Sequence, residues 1–166
     1  MFHDSNSSTF VAGIWDDPRR TVELFESAKD AFRTGIGKSF AEASASRTEQ
    51  VARGPLQTWA RNALVQQALP QLPGVVEKLR DGGAACDIGS GAGGAPLAIA
   101  AAFPRSRVVG YDTWDAMLEL AEASRAEAGL TNVSFVNPER TPLPETPEFD
   151  LVITADMLHD LPRPDV

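Results

Sequence analysis

Cysteine is nearly missing from the chain. A single thiol, Cys86, in 166 residues excludes an internal disulfide and suits a reducing, cytoplasmic setting. With only two histidines, His3 and His159, placed far apart, a zinc-finger-type site is excluded as well. Long hydrophobic runs are lacking. The longest, Pro96 to Phe103, falls far short of the ~18–20 residues that span a bilayer. No basic leader with an apolar run and cleavage site opens the chain, so neither secretion nor a membrane partner is expected. Positive charge is in deficit: 15 basic against 23 acidic side chains give a net charge of −8, which disfavours coating a nucleic acid. Arg19, Arg20, Lys29 and Arg33 gather early, but Asp16, Asp17, Glu23, Glu26 and Asp30 are interleaved with them. That is the pattern of a solvated helix face carrying ion pairs. What remains is an ordinary globular balance, 43% hydrophobic and 23% charged, in a chain of one domain's length.

Two regions follow from the change of hydrophobic period. Residues 1–83 read as a helical segment, with Ser5 to Thr9 a polar stretch expected to fray. Asp17-Pro18 is a helix start; Val22, Phe25, Ala28 and Phe32 then share one face, and Gly35 is the stop. Pro55 opens another helix with Leu56, Trp59, Ala60, Ala63 and Leu64 inward. Pro70 and Pro73 interrupt it, and Val75, Val76 and Leu79 make a last short turn. Residues 84–166 alternate strands with helices: strand 84–88, helix 95–103, strand 107–111, a helix in which Trp114, Met117, Leu118 and Ala121 share a face, a stop at Gly129, strand 132–136 and strand 149–154. This alternation predicts an α/β fold, a mostly parallel sheet with helices on both faces.

The segment AACDIGSGAGG, residues 84–94, carries the strongest signal. Gly89, Gly91 and Gly93 alternate between a buried strand and a helix. Glycines there permit positive φ and close approach of the backbone to a ligand, toward which the helix turns its free amides. Asp112 ends the next strand beside the same crevice, where a carboxylate accepts from ribose hydroxyls. The combination points to an adenosine-containing cofactor. Gly89, Gly91 and Gly94 also satisfy G-x-G-x-x-G, so a nicotinamide-binding oxidoreductase stays open. Asp87 tilts the balance, because a carboxylate there repels a pyrophosphate but attracts an ammonium or sulfonium centre.

Asp87-Ile-Gly89-Ser-Gly91-Ala-Gly93 resembles motif I of the class I S-adenosylmethionine-dependent methyltransferases. The resemblance continues through Val109-Gly-Tyr-Asp112, the helix 114–129, Phe135-Val136 and FDLVITADMLHDLP, residues 149–162. Phe32-Arg33-Thr34-Gly35, Leu72-Pro73-Gly74-Val75 and Ala102-Phe103-Pro104 look like a subgroup with an amino-terminal winged-helix domain. The resemblance implies a Rossmann-like sheet, here four strands in the order 3-2-1-4, and S-adenosylmethionine as cofactor. It places Asp87 and Gly89 at the methionine end, Gly91 under the cofactor with Ser90 and Gly93 in the same binding loop, and Asp112 at the ribose. Thr113 and Trp114 would flank the adenine, Glu139 would reach its amino group, and Ala155 would lie near the methionyl part. Glu139 stands where the family often has Gly-Asp, but after Pro138.

Methyl transfer needs chiefly alignment, and a general base only for a protonated nucleophile. His159 and Asp160, just after the fourth strand, are the one candidate pair. The motif [DNS]-P-P-[FYW] of amino-methylating nucleic-acid enzymes is absent, with Ala155-Asp156-Met157-Leu158 in its place. Cys86 lies inside the first strand, where a small buried hydrophobe is expected rather than a nucleophile. A small-molecule acceptor follows by elimination. Gly35-Ile-Gly37-Lys38-Ser39 ends like a P-loop but has Phe32 where that motif needs glycine. Trp59 is expected in the core. The family sheet has seven strands, and this chain supplies four, so the expectation is a truncated member. Its fourth-strand edge would be open to self-association, which leaves a non-catalytic binding module as a further alternative.

Overall fold

In a computed structural model, residues 18–36, 52 and 55–161 are described. The Ser5 to Thr9 stretch, Trp15, the Asp17 cap, the Gly37-Lys38-Ser39 triplet and Arg163-Pro164 lie outside them.

Helix α1 (Pro18–Thr34) ends at Gly35, which takes φ +71° and donates to the Ala31 carbonyl at 2.9 Å. Its charges pair as Lys29–Glu26 at 2.5 Å and Arg33–Asp30 at 2.6 Å, both at i,i+3 spacing. The shared apolar face of this helix is not buried. Val22 is 60%, Phe25 66% and Phe32 91% exposed, because a periodic apolar stripe is buried only where another element covers it.

Helix α2 (Pro55–Trp59) runs directly into a π-helix (Ala60–Ala68), followed by a 3₁₀ turn (Leu69–Gln71) at Pro70 and by α3 (Val75–Arg80). The wider spacing is explicit where the Leu69 N–H reaches the Leu64 carbonyl, five residues back. Ala60, Ala63 and Leu64 are buried as expected, but Trp59 is 40% exposed. The small residues after it take the inner face and leave the indole at the rim, so Trp59 is not a core residue.

Strands β1 (Ala84–Ile88), β2 (Arg107–Tyr111), β3 (Val133–Val136) and β4 (Leu151–Ile153) form one parallel sheet in the order β3-β2-β1-β4. Helix α4 (Gly94–Ala102) connects β1 to β2, and α5 (Asp115–Glu127) connects β2 to β3, the crossovers that parallel neighbours require. Register pairs Asp87 with Gly110 and with Ile153, and Gly110 with Phe135. Strand β1 has a neighbour on each side, and Ala85, Cys86 and Asp87 are buried in succession, as suits a central parallel strand.

One core joins both regions of the chain. Ala60, Leu64, Leu69 and Leu79 pack with Ala95, Ile99, Ala100 and Phe103 on the sheet face presented by Ala85, Val108, Val133 and Leu151. The other face carries a smaller cluster of Cys86, Val109 and Tyr111 against Ile88, Val136 and Phe149, with the Tyr111 and Phe149 rings edge to face at 6.4 Å. Polar side chains tie the strand starts. Asn132 Nδ2 lies 3.1 Å from each of the carbonyls of Ala100, Phe103 and Ser106. Asp150 accepts from the Ala84 N–H at 3.0 Å and from Lys78 Nζ at 3.1 Å. These bonds hold the Asp150 carboxyl below its ordinary range. The carboxyl-terminal strand ends are thereby left to carry the loops that matter below.

Candidate functional site

After Ile88 the chain turns sharply. The N–H groups of Gly89 and Ser90 both donate to the Tyr111 carbonyl, at 2.8 and 2.9 Å, which pins the start of the glycine loop to the end of β2. Gly89 takes φ +81° and Gly93 φ +80°, a region that side-chain-bearing residues rarely enter. Space forbids a side chain too. A Cβ on Gly89 would collide with the Met157 side chain from the loop after β4, and one on Gly93 would stand 2.7 Å from the Phe135 ring. The loop is therefore gripped from both sides, by β3 and by the segment after β4.

Two polar atoms beneath this loop have no partner. Asp87 is 4% exposed and its Oδ1 is unbonded; Ser90 is 1% exposed and its Oγ is unbonded. Such orphans are rare in folded proteins, and each costs about 1–3 kcal/mol. Burial first, and the charge of Asp112 second, push the Asp87 carboxyl up to about 7. A cation bound here would answer both.

Asp112 ends β2 and faces the loop. Its Oδ2 accepts from the Gly91 N–H at 2.7 Å and its Oδ1 from the Trp114 N–H at 2.8 Å. A carboxylate offers about four acceptor positions, so capacity for two hydroxyl donors remains. Asp87, Gly89, Ser90, Gly91, Gly93, Asp112 and the Trp114 backbone are thus brought together as the sequence suggests.

The loop after β3 carries Glu139, which the resemblance sets at the adenine. Glu139 is exposed, and the bond that ties it here is from its backbone N–H to Asn137 Oδ1, at 3.0 Å. The buried side chain of this loop is Asn137, 8% exposed. Its Nδ2 donates to the Thr113 carbonyl at 3.3 Å and to Asp115 Oδ1 at 3.0 Å, which joins the loops after β2 and β3. Asn137 is legible in the sequence as the first polar residue after an apolar strand. Asn137 is thus a structural tie between the two loops, beside the position where the resemblance sets Glu139.

The loop after β4 places Ala155 and Met157 half-buried, with Met157 over Gly89. Asp156 holds φ +57°, the one described non-glycine residue with positive φ. His159 sits in a 3₁₀ turn (Leu158–Asp160), with its Nδ1 3.6 Å from Asp156 Oδ1. Among the described residues, the Asp156 carboxylate, three residues back along the turn, stands beside His159. The Asp160 side chain is outside the described structure. Cys86 is 2% exposed, and its thiol is pushed up to about 11, first by burial and then by Asp87, which is the inert buried thiol the sequence predicts.

A cavity of about 580 Å³ lies between α5 and the loop after β3, lined among others by Asp115, Leu118, Phe135, Asn137 and Arg140. Neither the glycine loop nor Asp87 or Asp112 lines it. No helix among the described residues is long and apolar enough to cross a membrane.

No curated protein matches the chain. A solved S-adenosylmethionine-dependent methyltransferase from Aquifex aeolicus superposes with a TM-score of 0.52 at 20% identity, over 74% of this chain and 62% of that one, and shares its fold. The YcgJ protein of Bacillus subtilis is 30% identical over 49% of this chain and 34% of its own, with a TM-score of 0.42. PKMT2 from Rickettsia typhi, solved in complex with S-adenosylhomocysteine, is 24% identical over 51% of this chain and 16% of its own, with a TM-score of 0.47. The chain thus spans 62%, 34% and 16% of these three structures, under two thirds of each. A family model described as a methyltransferase domain matches residues 85–166; of the segments that carry the winged-helix subgroup resemblance, Phe32–Gly35 and Leu72–Val75 lie before that match and Ala102–Pro104 within it. Residues 85–166 are thus similar to the methyltransferase domain family, and the sheet has the Rossmann-like fold of the solved Aquifex aeolicus methyltransferase.

Proposed function

We propose that this domain binds S-adenosylmethionine along the glycine loop and serves methyl transfer to a small-molecule acceptor. The observation that carries the reading is Asp87, a buried carboxyl with an unpartnered oxygen beside the charge of Asp112. A dinucleotide would bring phosphate charge against it; S-adenosylmethionine brings an ammonium and a sulfonium. The residues fit the group in two further ways. Asp112 keeps acceptor capacity for ribose hydroxyls, and the Asn137 tie holds Thr113 and Trp114 in place for the adenine.

When bound, the cofactor supplies an activated methyl group, so the protein chiefly binds and orients, an effect worth about 7–11 kcal/mol in well-aligned cases. Gly91 and Asp112 hold one another. Met157 closes over Gly89. His159, with the Asp156 carboxylate beside it, takes a proton from an acceptor hydroxyl where one is present. A small acceptor is supported by Ala155-Asp156-Met157-Leu158, which lacks the diproline of nucleic-acid amino methylases, and by the raised Cys86 thiol, unsuited to attack on a cytosine ring.

Calorimetry on the purified chain tests this. Heat of binding with S-adenosylhomocysteine and none with a nicotinamide dinucleotide is expected. Heat with the dinucleotide alone, or with neither, would overturn it. Transfer of a labelled methyl group into a low-molecular-mass fraction, rather than into nucleic acid or protein, tests the acceptor class.

A further inference from the structure

The helical region ahead of the sheet sends one polar side chain into the glycine loop. Gln57, on α2, has its Oε1 2.7 Å from the Gly94 N–H, which it accepts, and its Nε2 3.4 Å from the Ser90 carbonyl, to which it donates. The amide therefore bridges the two ends of the loop between Ser90 and Gly94. The contact is close enough to exclude side chains beneath it. A Cβ on Gly91 would stand 2.9 Å from Gln57 Nε2, and one on Gly94 2.5 Å from its Oε1. Gln57 is itself held, because three residues on the π-helix begins and packs Ala60 and Leu64 into the core shared with Ala95 and Ile99. A Gln at this point suits both ends: its oxygen meets an amide at the first turn of α4 that has no partner within the helix, and its nitrogen meets a carbonyl.

From this bridge we infer that Gln57 is a positioning residue, which holds the 90–94 loop in its receiving shape and couples cofactor affinity to the docking of residues 55–68. The inference rests on the cofactor reading above. By linkage, whatever Gln57 does for the ligand, the ligand does for the helical region.

The test uses the full chain with S-adenosylhomocysteine as probe, and three variants. Gln57→Met keeps the bulk and removes both hydrogen bonds, Gln57→Ala removes bulk and bonds, and Gln57→Glu keeps the acceptor for Gly94. Calorimetry gives affinity, and amide exchange gives protection at Gly94 and along 60–68. We expect Gln57→Met and Gln57→Ala to weaken binding on the order of tenfold, to speed exchange at Gly94 without ligand, and to abolish the slowing that ligand produces at 60–68. Gln57→Glu should restore protection at Gly94. Binding and exchange unchanged in Gln57→Met would overturn the inference, since the side chain would then be mere filling. Should Gln57→Ala fail to fold, Gln57→Met and Gln57→Glu carry the decision. Absence of heat with the wild-type chain would sink the cofactor reading alone; ligand-free exchange at Gly94 would still decide whether Gln57 holds the loop.

Discussion

Asp112 raises the price of ionising Asp87. The two carboxylates flank one glycine loop, and the charge of Asp112 adds to burial in pushing the Asp87 carboxyl from an ordinary 3.8 up to about 7. The folded protein thus holds a proton there that the unfolded chain gives up.

The sign of the pH dependence follows. A raised carboxyl contributes stability that is fully present below about pH 4 and is lost as pH climbs through 7, a change on the order of 4 kcal/mol. Asp115 and Asp150, both lowered, act only below their ordinary range, so the windows separate. Urea unfolding of the ligand-free chain should show a midpoint that falls from pH 4.5 to 8. Asp87→Asn should flatten that slope.

The same variant distinguishes two ligands. Asp87→Asn should weaken S-adenosylmethionine, which carries the sulfonium, more than S-adenosylhomocysteine, which lacks it. A difference of about three- to tenfold matches a charge-assisted contact of ~1 kcal/mol. Equal losses in calorimetry would show that Asp87 does not address the sulfonium.

Gly89→Ala should abolish or strongly weaken cofactor binding, because the new methyl enters the space of Met157 at φ +81°. Gly89→Ala with Met157→Ala relieves the collision but keeps the backbone strain, about 1–2 kcal/mol. The double variant should regain part of the thermal stability that the single one loses, as melting temperatures would report.

Asp112→Ala removes the acceptor for the Gly91 and Trp114 N–H groups together with the ribose contact. Binding of S-adenosylhomocysteine should fall by more than tenfold, about 1.5–3 kcal/mol per charge-assisted bond. Circular dichroism should stay close to wild type, since the sheet does not depend on this side chain.

Away from the site, Asn132→Asp sets a carboxylate against three carbonyl oxygens at 3.1 Å and should destabilise more than Asn132→Ala, itself expected to cost about 1–3 kcal/mol. Chemical denaturation of the two variants side by side checks the order.

Much of this molecule is written in local signals. The bounds of β1 and β2 coincide with the apolar runs 84–88 and 107–111, and Met117, Leu118 and Ala121 are buried as their spacing demands. The left-handed glycines at 89, 91 and 93 sit where only glycine tolerates the backbone. Asp112 follows because it ends a strand neighbouring β1. Each of these depends on residues close together in the chain, or on one pairing of adjacent strands.

Elsewhere the outcome belongs to contacts that no short window contains. The apolar face of α1 is as periodic as that of α5, yet it stands exposed, since periodicity states what a helix offers and not what meets it. Asn137 rather than Glu139 ties the loops because the end of β3 buries the first and leaves the second in water. Asp156 comes to face His159 through a left-handed turn that no spacing rule announces. Gln57 meets Ser90 and Gly94 across 33 and 37 residues. The sequence by itself determined the elements and the glycine cradle, because hydrophobic period and permitted φ are local properties. The tertiary structure alone decided which side chains close that cradle, because hydrogen bonds and van der Waals contacts act between neighbours in space, whatever their distance along the chain.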